Sequence, residues 1–225
     1  MARLTASDMI DMVRDCLGGE TTETISDTRI LRYINQSYLE LASRNHFDQL
    51  STSSTITTSD GTATYELSVS NVLKLNDLED DTNNLKLYAM NEDQYRKFTQ
   101  GSATSTTGTP VYWFIDGVGD NNRYNITLWP TPAGTYTINV YYTQSPDELV
   151  TSPAATSPVI PEPWDDSILH RAVSRGWKML GDLEAAGSWL QLARQNDRAA
   201  LKSTYHASHI KTVPRSVIGR ALSDV

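Results

Sequence analysis

A chain of 225 residues with a net charge of −8 is long enough to bury a sizeable apolar core, and its composition is that of an ordinary globular protein. The acidic balance excludes a general nucleic-acid-binding surface, which needs an excess of Lys and Arg. A lone cysteine, Cys16, excludes an internal disulfide and a cysteine-based metal cluster. No apolar run reaches the roughly 18 residues of a membrane span. Residues 1–8 are polar and lack the apolar region of a signal peptide, so synthesis and retention in a cytoplasm are expected.

Thr5 or Ser7 can cap a first short helix, with Met9, Ile10, Met12, Val13 and Leu17 as its apolar side and Gly18-Gly19 as its stop. Cys16 falls among these residues and is expected to be a small buried thiol. Ser26 or Asp27 caps a longer helix whose apolar positions, Ile30, Leu31, Ile34, Tyr38 and Leu41, recur at helical spacing and form one buried stripe.

Near Leu50 the pattern changes. Residues 51–58 are rich in β-branched Thr and Ile without a helical period. Asp60-Gly61 is a hairpin signal between this run and the alternating Thr62, Thr64, Tyr65 and Leu67. Residues 73–78 and 85–88 alternate, joined by a polar turn over 80–84. Asn91 caps a short helix over 91–98, and 101–109 form a Ser/Thr/Gly loop. Strand signals follow at 111–115, 123–129 and 135–143, with Tyr136, Ile138, Val140 and Tyr142 on one face. Such closely spaced short strands indicate an antiparallel sandwich or small barrel.

Residues 145–163 hold five prolines and form a connector that cannot be regular helix. Helix resumes after Pro163, with Asp165 and Asp166 suiting its positive end. Its packed side is Ile168, Leu169, Ala172, Val173, Gly176, Met179 and Leu180. Gly181 interrupts, and 183–205 continue with Trp189, Leu190, Ala193, Ala200 and Leu201. Neither helical part has apolar stripe enough for a core of its own, so the two are expected to pack together around an inserted β domain. The predicted fold class is α+β: a helical bundle formed by N- and C-terminal helices, an inserted antiparallel β-sandwich or barrel, and an extended C-terminal arm. The expected divisions are 1–48 and 164–208 for the helical halves, 49–145 for the β insertion, 146–163 for the connector and 209–225 for the arm.

Charge is unevenly spread. From Arg194 to the end the chain carries +4, against −12 elsewhere, which reads equally as a basic tail that docks on an acidic surface or as a solvated helix end followed by a frayed terminus.

No nucleotide-binding, serine-hydrolase or zinc-protease motif is present, and neither an enzymatic activity nor a cofactor is expected. His206 and His209 are three residues apart but have no Cys or carboxylate cluster near them in sequence, so metal is not expected. The acidic run Asp77, Glu79, Asp80 and Asp81 reads as a solvated hairpin tip rather than a calcium loop. Residues 116–120 hold glycines but lead into no helix, so they read as a turn rather than a phosphate cradle. The aromatics of the β region, Trp113 and Trp129 among them, read as core. An exposed set would instead make a carbohydrate-binding or receptor-binding module of a phage tail. A hydrolase built on Glu162, Asp165 and Asp166 is less well supported, since helix-end electrostatics explains these acids.

The order of several segments resembles the head-to-tail adaptor, or connector, proteins of tailed bacteriophages. These are Ser26–Asn35, the Thr-rich 54–58, Gly108–Trp113 with Ile126–Pro132, and Ile160–Leu169. The similarity covers roughly residues 5 to 205. It implies a structural virion protein at the neck of the particle, made in the host bacterial cytoplasm. The expected form is a ring, of twelve copies in the usual case, beneath the portal. Its partners would be other copies of itself, the portal protein and tail or nozzle proteins, with no membrane involved. Genomic double-stranded DNA would pass through without specific binding. The resemblance further implies that the arm, with Ile210, Lys211, Val213, Pro214, Arg215, Val217, Ile218 and Arg220, reaches into the portal. A tail terminator or another neck-ring protein is a neighbouring reading.

Overall fold

A computed structural model describes residues 3–19, 24–100, 106–119 and 123–209. The chain forms two compact units, Met1–Leu41 with Glu148–Val225, and Ala42–Asp147. Five α-helices lie among the described residues, none long and apolar enough to cross a membrane.

In the first unit, α1 spans Ala6–Cys16 and begins with a reciprocal cap: the Asp8 amide donates to Thr5 Oγ1, and the Thr5 amide donates to the Asp8 carboxylate at 2.8 Å. Met9, Ile10, Val13 and Leu17 are buried as the spacing predicts, but Met12 and Cys16 are exposed. The expectation of a buried thiol is therefore corrected. Cys16 lies three residues beyond Val13, on the edge of the apolar stripe. Partial desolvation and then the Asp15 carboxylate push its pKa up, so the thiolate is disfavoured.

Helix α2, Asp27–Arg44, buries Ile30, Ile34, Tyr38 and Leu41, while Leu31 is only half-buried. The same helix buries Asn35, whose amide holds the connector at both its polar atoms. Nδ2 donates to the Leu149 carbonyl at 3.0 Å, and the Leu149 amide donates to Oδ1 at 2.8 Å. Tyr38 Oη accepts the Val159 amide at 2.9 Å. A segment too proline-rich for its own backbone ladder has its polar groups satisfied by helix side chains instead.

Helices α4, Asp165–Leu180, and α5, Leu183–His209, form an antiparallel pair. Gly181 closes α4 in the left-handed conformation, φ +91, where glycine costs least. Asp182 then accepts the Ala185 amide at 2.9 Å and starts α5. The α5 seam is built on Ala186, Ala193 and Ala200, seven residues apart. Small residues let the axes approach, and Ser174 and Ser167 of α4 reach the Ala186 and Ala193 carbonyls at 2.7 and 3.4 Å. Met179 and Leu201, expected inside, are exposed.

In the second unit one curled sheet of seven strands has the order β1-β9-β3-β4-β6-β7-β2. The strands are β1 Ser51–Thr57, β2 Thr64–Glu66, β3 Val72–Asp80, β4 Leu85–Ala89, β6 Tyr112–Val118, β7 Tyr124–Trp129 and β9 Thr137–Gln144. Its pairs are antiparallel except β4 with β6. Two short strands, β5 Thr107–Gly108 and β8 Thr131–Pro132, make a separate parallel pair. Helix α3, Glu92–Gln100, is inserted after β4 and capped by Asn91, whose Oδ1 accepts the Gln94 amide at 2.8 Å.

Of the two expected forms, sandwich or small barrel, the β unit takes neither in full: it is a single curled sheet, a half-barrel. Residues 60–61 do turn, but β1 pairs with β9 and β2 with β7, so they join no hairpin. The two strands stand at opposite ends of the sheet order, yet six residues connect them. Six residues span at most about 20 Å, so the sheet must curl to bring its edges within reach. Ile56, Leu67, Leu78, Leu87, Trp113, Ile126, Leu128, Ile138, Val140 and Tyr142 fill the concave side.

Candidate assembly surfaces

The chemistry-bearing side chains of the helical unit converge on Arg171. This arginine is 6% exposed on a helix that buries residues around most of its circumference. Its guanidinium contacts Asp197 of α5 at 2.5 Å and Glu40 of α2 at 3.3 Å. Glu40 also takes Arg175 at 2.7 Å, and Asp197 also accepts the Ser167 hydroxyl. His170 Nδ1 lies 3.0 Å from the Asn196 side-chain amide, with its ring against Trp189. Two arginines and two carboxylates in mutual contact neutralise one another. This is the geometry of an internal strut joining three helices, with the acids already committed. Sequence reading passed over it because each residue looks like an ordinary surface charge.

Asp165, read as favouring the helix start, is 3% exposed. Trp164 rather than an Asp side chain occupies the cap position of α4. Arg3 reaches Asp165 at 3.2 Å. Burial raises the Asp165 pKa more than the Arg3 contact lowers it. Glu162 and Asp166 are exposed.

In the β unit, Asp80 is fully buried, not a solvated tip residue. It accepts the Thr82 and Asn83 amides at 3.0 and 3.2 Å and the Asn83 side-chain amide at 2.6 Å, so it organises the β3–β4 turn. The rest of the acidic run stays outside. Asp77 pairs with Lys86, and Glu79 accepts from Tyr141 Oη at 3.3 Å. Glu79, Asp81 and Asp77 together help to push the Tyr141 phenol up, a mark of concentrated negative potential.

Asp116, Gly117 and Val118 lie within β6 rather than in a turn. The register shifts between Ile115 and Gly117, whose φ is +150, and that bulge supplied the glycine signal. Trp113 is in the core, which removes it from any exposed platform. Trp129 is half-buried under α3, stacked on Phe98 with centroids 5.0 Å apart and tilted to Tyr112 at 5.8 Å.

Among the described residues, no three His, Cys, Asp or Glu side chains are placed to hold a metal ion. The His206 and His209 side chains lie outside the described set, as does the whole predicted arm: Ile210, Lys211, Val213, Pro214, Arg215, Val217, Ile218 and Arg220.

The family model for the SU10 adaptor protein matches residues 4–214. The chain belongs to this family. The order of motifs that resembled the head-to-tail adaptors is thus matched over nearly the whole chain. A chain from a solved structure titled the neck of an empty GTA particle, computed with C6 symmetry, is similar at 14% identity. That match has a TM-score of 0.26, covering 83% of this chain and 93% of the other. No curated protein matches the sequence.

Proposed function

We propose that this adaptor-family protein is a structural subunit of a phage neck. It would form a homo-oligomeric ring, of about twelve copies by the family resemblance, that docks beneath the portal and joins capsid to tail. The family match over residues 4–214 carries the reading. The helical unit suits a ring wall: Arg171, Arg175, Glu40 and Asp197 are spent on one another and tie three helices together. The acidic balance suits a DNA conduit, because like charge keeps a passing genome from adhering. The role is structural rather than catalytic, its place is the virion neck, and synthesis in the host cytoplasm precedes assembly.

The docking element of this reading is the segment from Ile210 to Arg220. Its Lys211, Arg215 and Arg220 supply charge for an acidic portal surface. Its Ile210, Val213, Val217 and Ile218 supply apolar anchors, and Pro214 disfavours continued helix.

The test is the mass of the purified protein in solution, alone and mixed with portal protein. A ring, or a monomer that assembles only on the portal, supports the reading. A chain indifferent to the portal overturns it. Removal of residues 210–225 should leave a folded protein that binds the portal weakly, and unchanged binding would remove the arm from the account.

A further inference from the structure

The outer face of α5 carries Arg194, Arg198 and Lys202, all exposed. None of the three forms an ion pair among the described residues. The carboxylate in their midst, Asp197, is turned inward to Arg171 and Ser167. Like charges four residues apart destabilise a helix, and in a chain of net charge −8 nearby acids could have offset them. This row is left without any. Successive cations stand about 6 Å apart along the helix axis.

The β unit presents the complement. It contains twelve acidic residues and six basic ones. On β3 and the turn after it, Asp77, Glu79 and Asp81 alternate along the chain, and all three act on the Tyr141 phenol. Lys86 is paired with Asp77, which leaves Glu79 and Asp81 as the acids without a cation among the described ion pairs. Alternate residues of a strand repeat at about 6.6 Å. Asp77 and Glu79 stand at that repeat within β3, close to the cations' spacing of about 6 Å, and Asp81 follows them in the turn.

We propose that the α5 row of one copy docks on the Asp77, Glu79 and Asp81 row of a second copy. The contact joins two unlike surfaces, so it is heterologous and can propagate head to tail until a ring closes. It deepens the ring reading above and rests on it. Duplex DNA is the less suitable occupant of the same cations. Three phosphate contacts are few beside those of dedicated DNA-binding proteins, and the acidic remainder of the chain repels a polyanion.

Charge reversal tests the pairing in the full-length chain. Arg194→Glu with Arg198→Glu, Glu79→Lys with Asp81→Lys, and the four together would be compared with the unaltered chain by mass photometry, alone and with portal protein. The expected result is self-association weakened at least about tenfold in either pair, restored in the combined variant, and weakened for the unaltered chain by added salt. Either pair assembling like the unaltered chain, or a combined variant no better than its parents, overturns the proposal while leaving the ring reading intact. Loss of binding to a labelled DNA duplex by the arginine reversal, with assembly unchanged, overturns it in favour of nucleic acid. An unaltered chain that forms no ring alone or on the portal removes the ring reading, and this proposal with it.

Discussion

A methyl group placed on Gly176 would lie 2.7 Å from Cδ1 and 2.8 Å from Cδ2 of Leu17. The two residues set how closely α1 approaches α4. Leu17 is 1% exposed, so its side chain has no free space to retreat into. Glycine within a helix costs about 1 kcal/mol relative to alanine, and overpacking a core costs about 1–3 kcal/mol. Gly176→Ala is therefore expected to destabilise by about 1 kcal/mol net. In a Leu17→Ala background, where the methyl fills vacated space, the same change should stabilise by about that amount. Urea unfolding of the four proteins measures the coupling, and additive effects would mean that the helices do not meet through this pair.

The Arg171 strut leads to a second expectation. Arg171→Met keeps the length of the side chain but leaves Asp197 and Glu40 without their shared cation. Removing one partner of a buried pair costs about 3–5 kcal/mol. Here the carboxylates are 20% and 22% exposed, which places the loss near the lower end. Arg175→Met, at a side chain 36% exposed, should cost well under half as much. Thermal unfolding of both variants ranks them, and equal losses would contradict a strut centred on Arg171.

The helices were legible from the apolar spacing of Ile30, Ile34, Tyr38 and Leu41, and from the caps at Thr5 and Asn91. Both signals are local. Strand pairing was not legible, because it depends on partners remote in sequence. Asp60-Gly61 carries the chemistry of a hairpin, yet the curl of the sheet assigns its two flanking strands to β9 and β7. Burial of charge was hidden for a similar reason. Arg171, Asp80 and Asp165 look like surface residues until their partners, or in Asp165 the neighbouring packing, are known. The acids of the β3–β4 turn were visible as a run, but only the fold separates Asp80, which builds the turn, from Asp77, Glu79 and Asp81, which face outward. The segment read as an arm, 210–225, lies outside the described residues.

Asn35 is expected to be as sensitive as an apolar core residue. Asn35→Leu fills the same space but strips the Leu149 amide and carbonyl of their partners. A buried polar group left unsatisfied costs about 1–3 kcal/mol, and two are affected. A loss of about 3 kcal/mol is expected, with amide exchange at Leu149 accelerated well beyond that of α2. Unaltered protection at Leu149 would show that the connector does not depend on this clamp.

Asp165 gives the helical unit a pH signature. Burial holds its folded-state pKa above the ordinary value of 3.8 despite Arg3, so the folded protein binds this proton more tightly than the unfolded chain does. The associated stability is fully present below pH 3.8 and is lost as pH rises through the raised value. Asp165→Asn stays neutral throughout and retains an oxygen that can accept from Arg3. The variant should therefore match the unaltered protein near pH 3 and exceed it in melting temperature at pH 7, with the gap opening between those limits. A gap of opposite sign at pH 7 would show that the Arg3 contact outweighs burial.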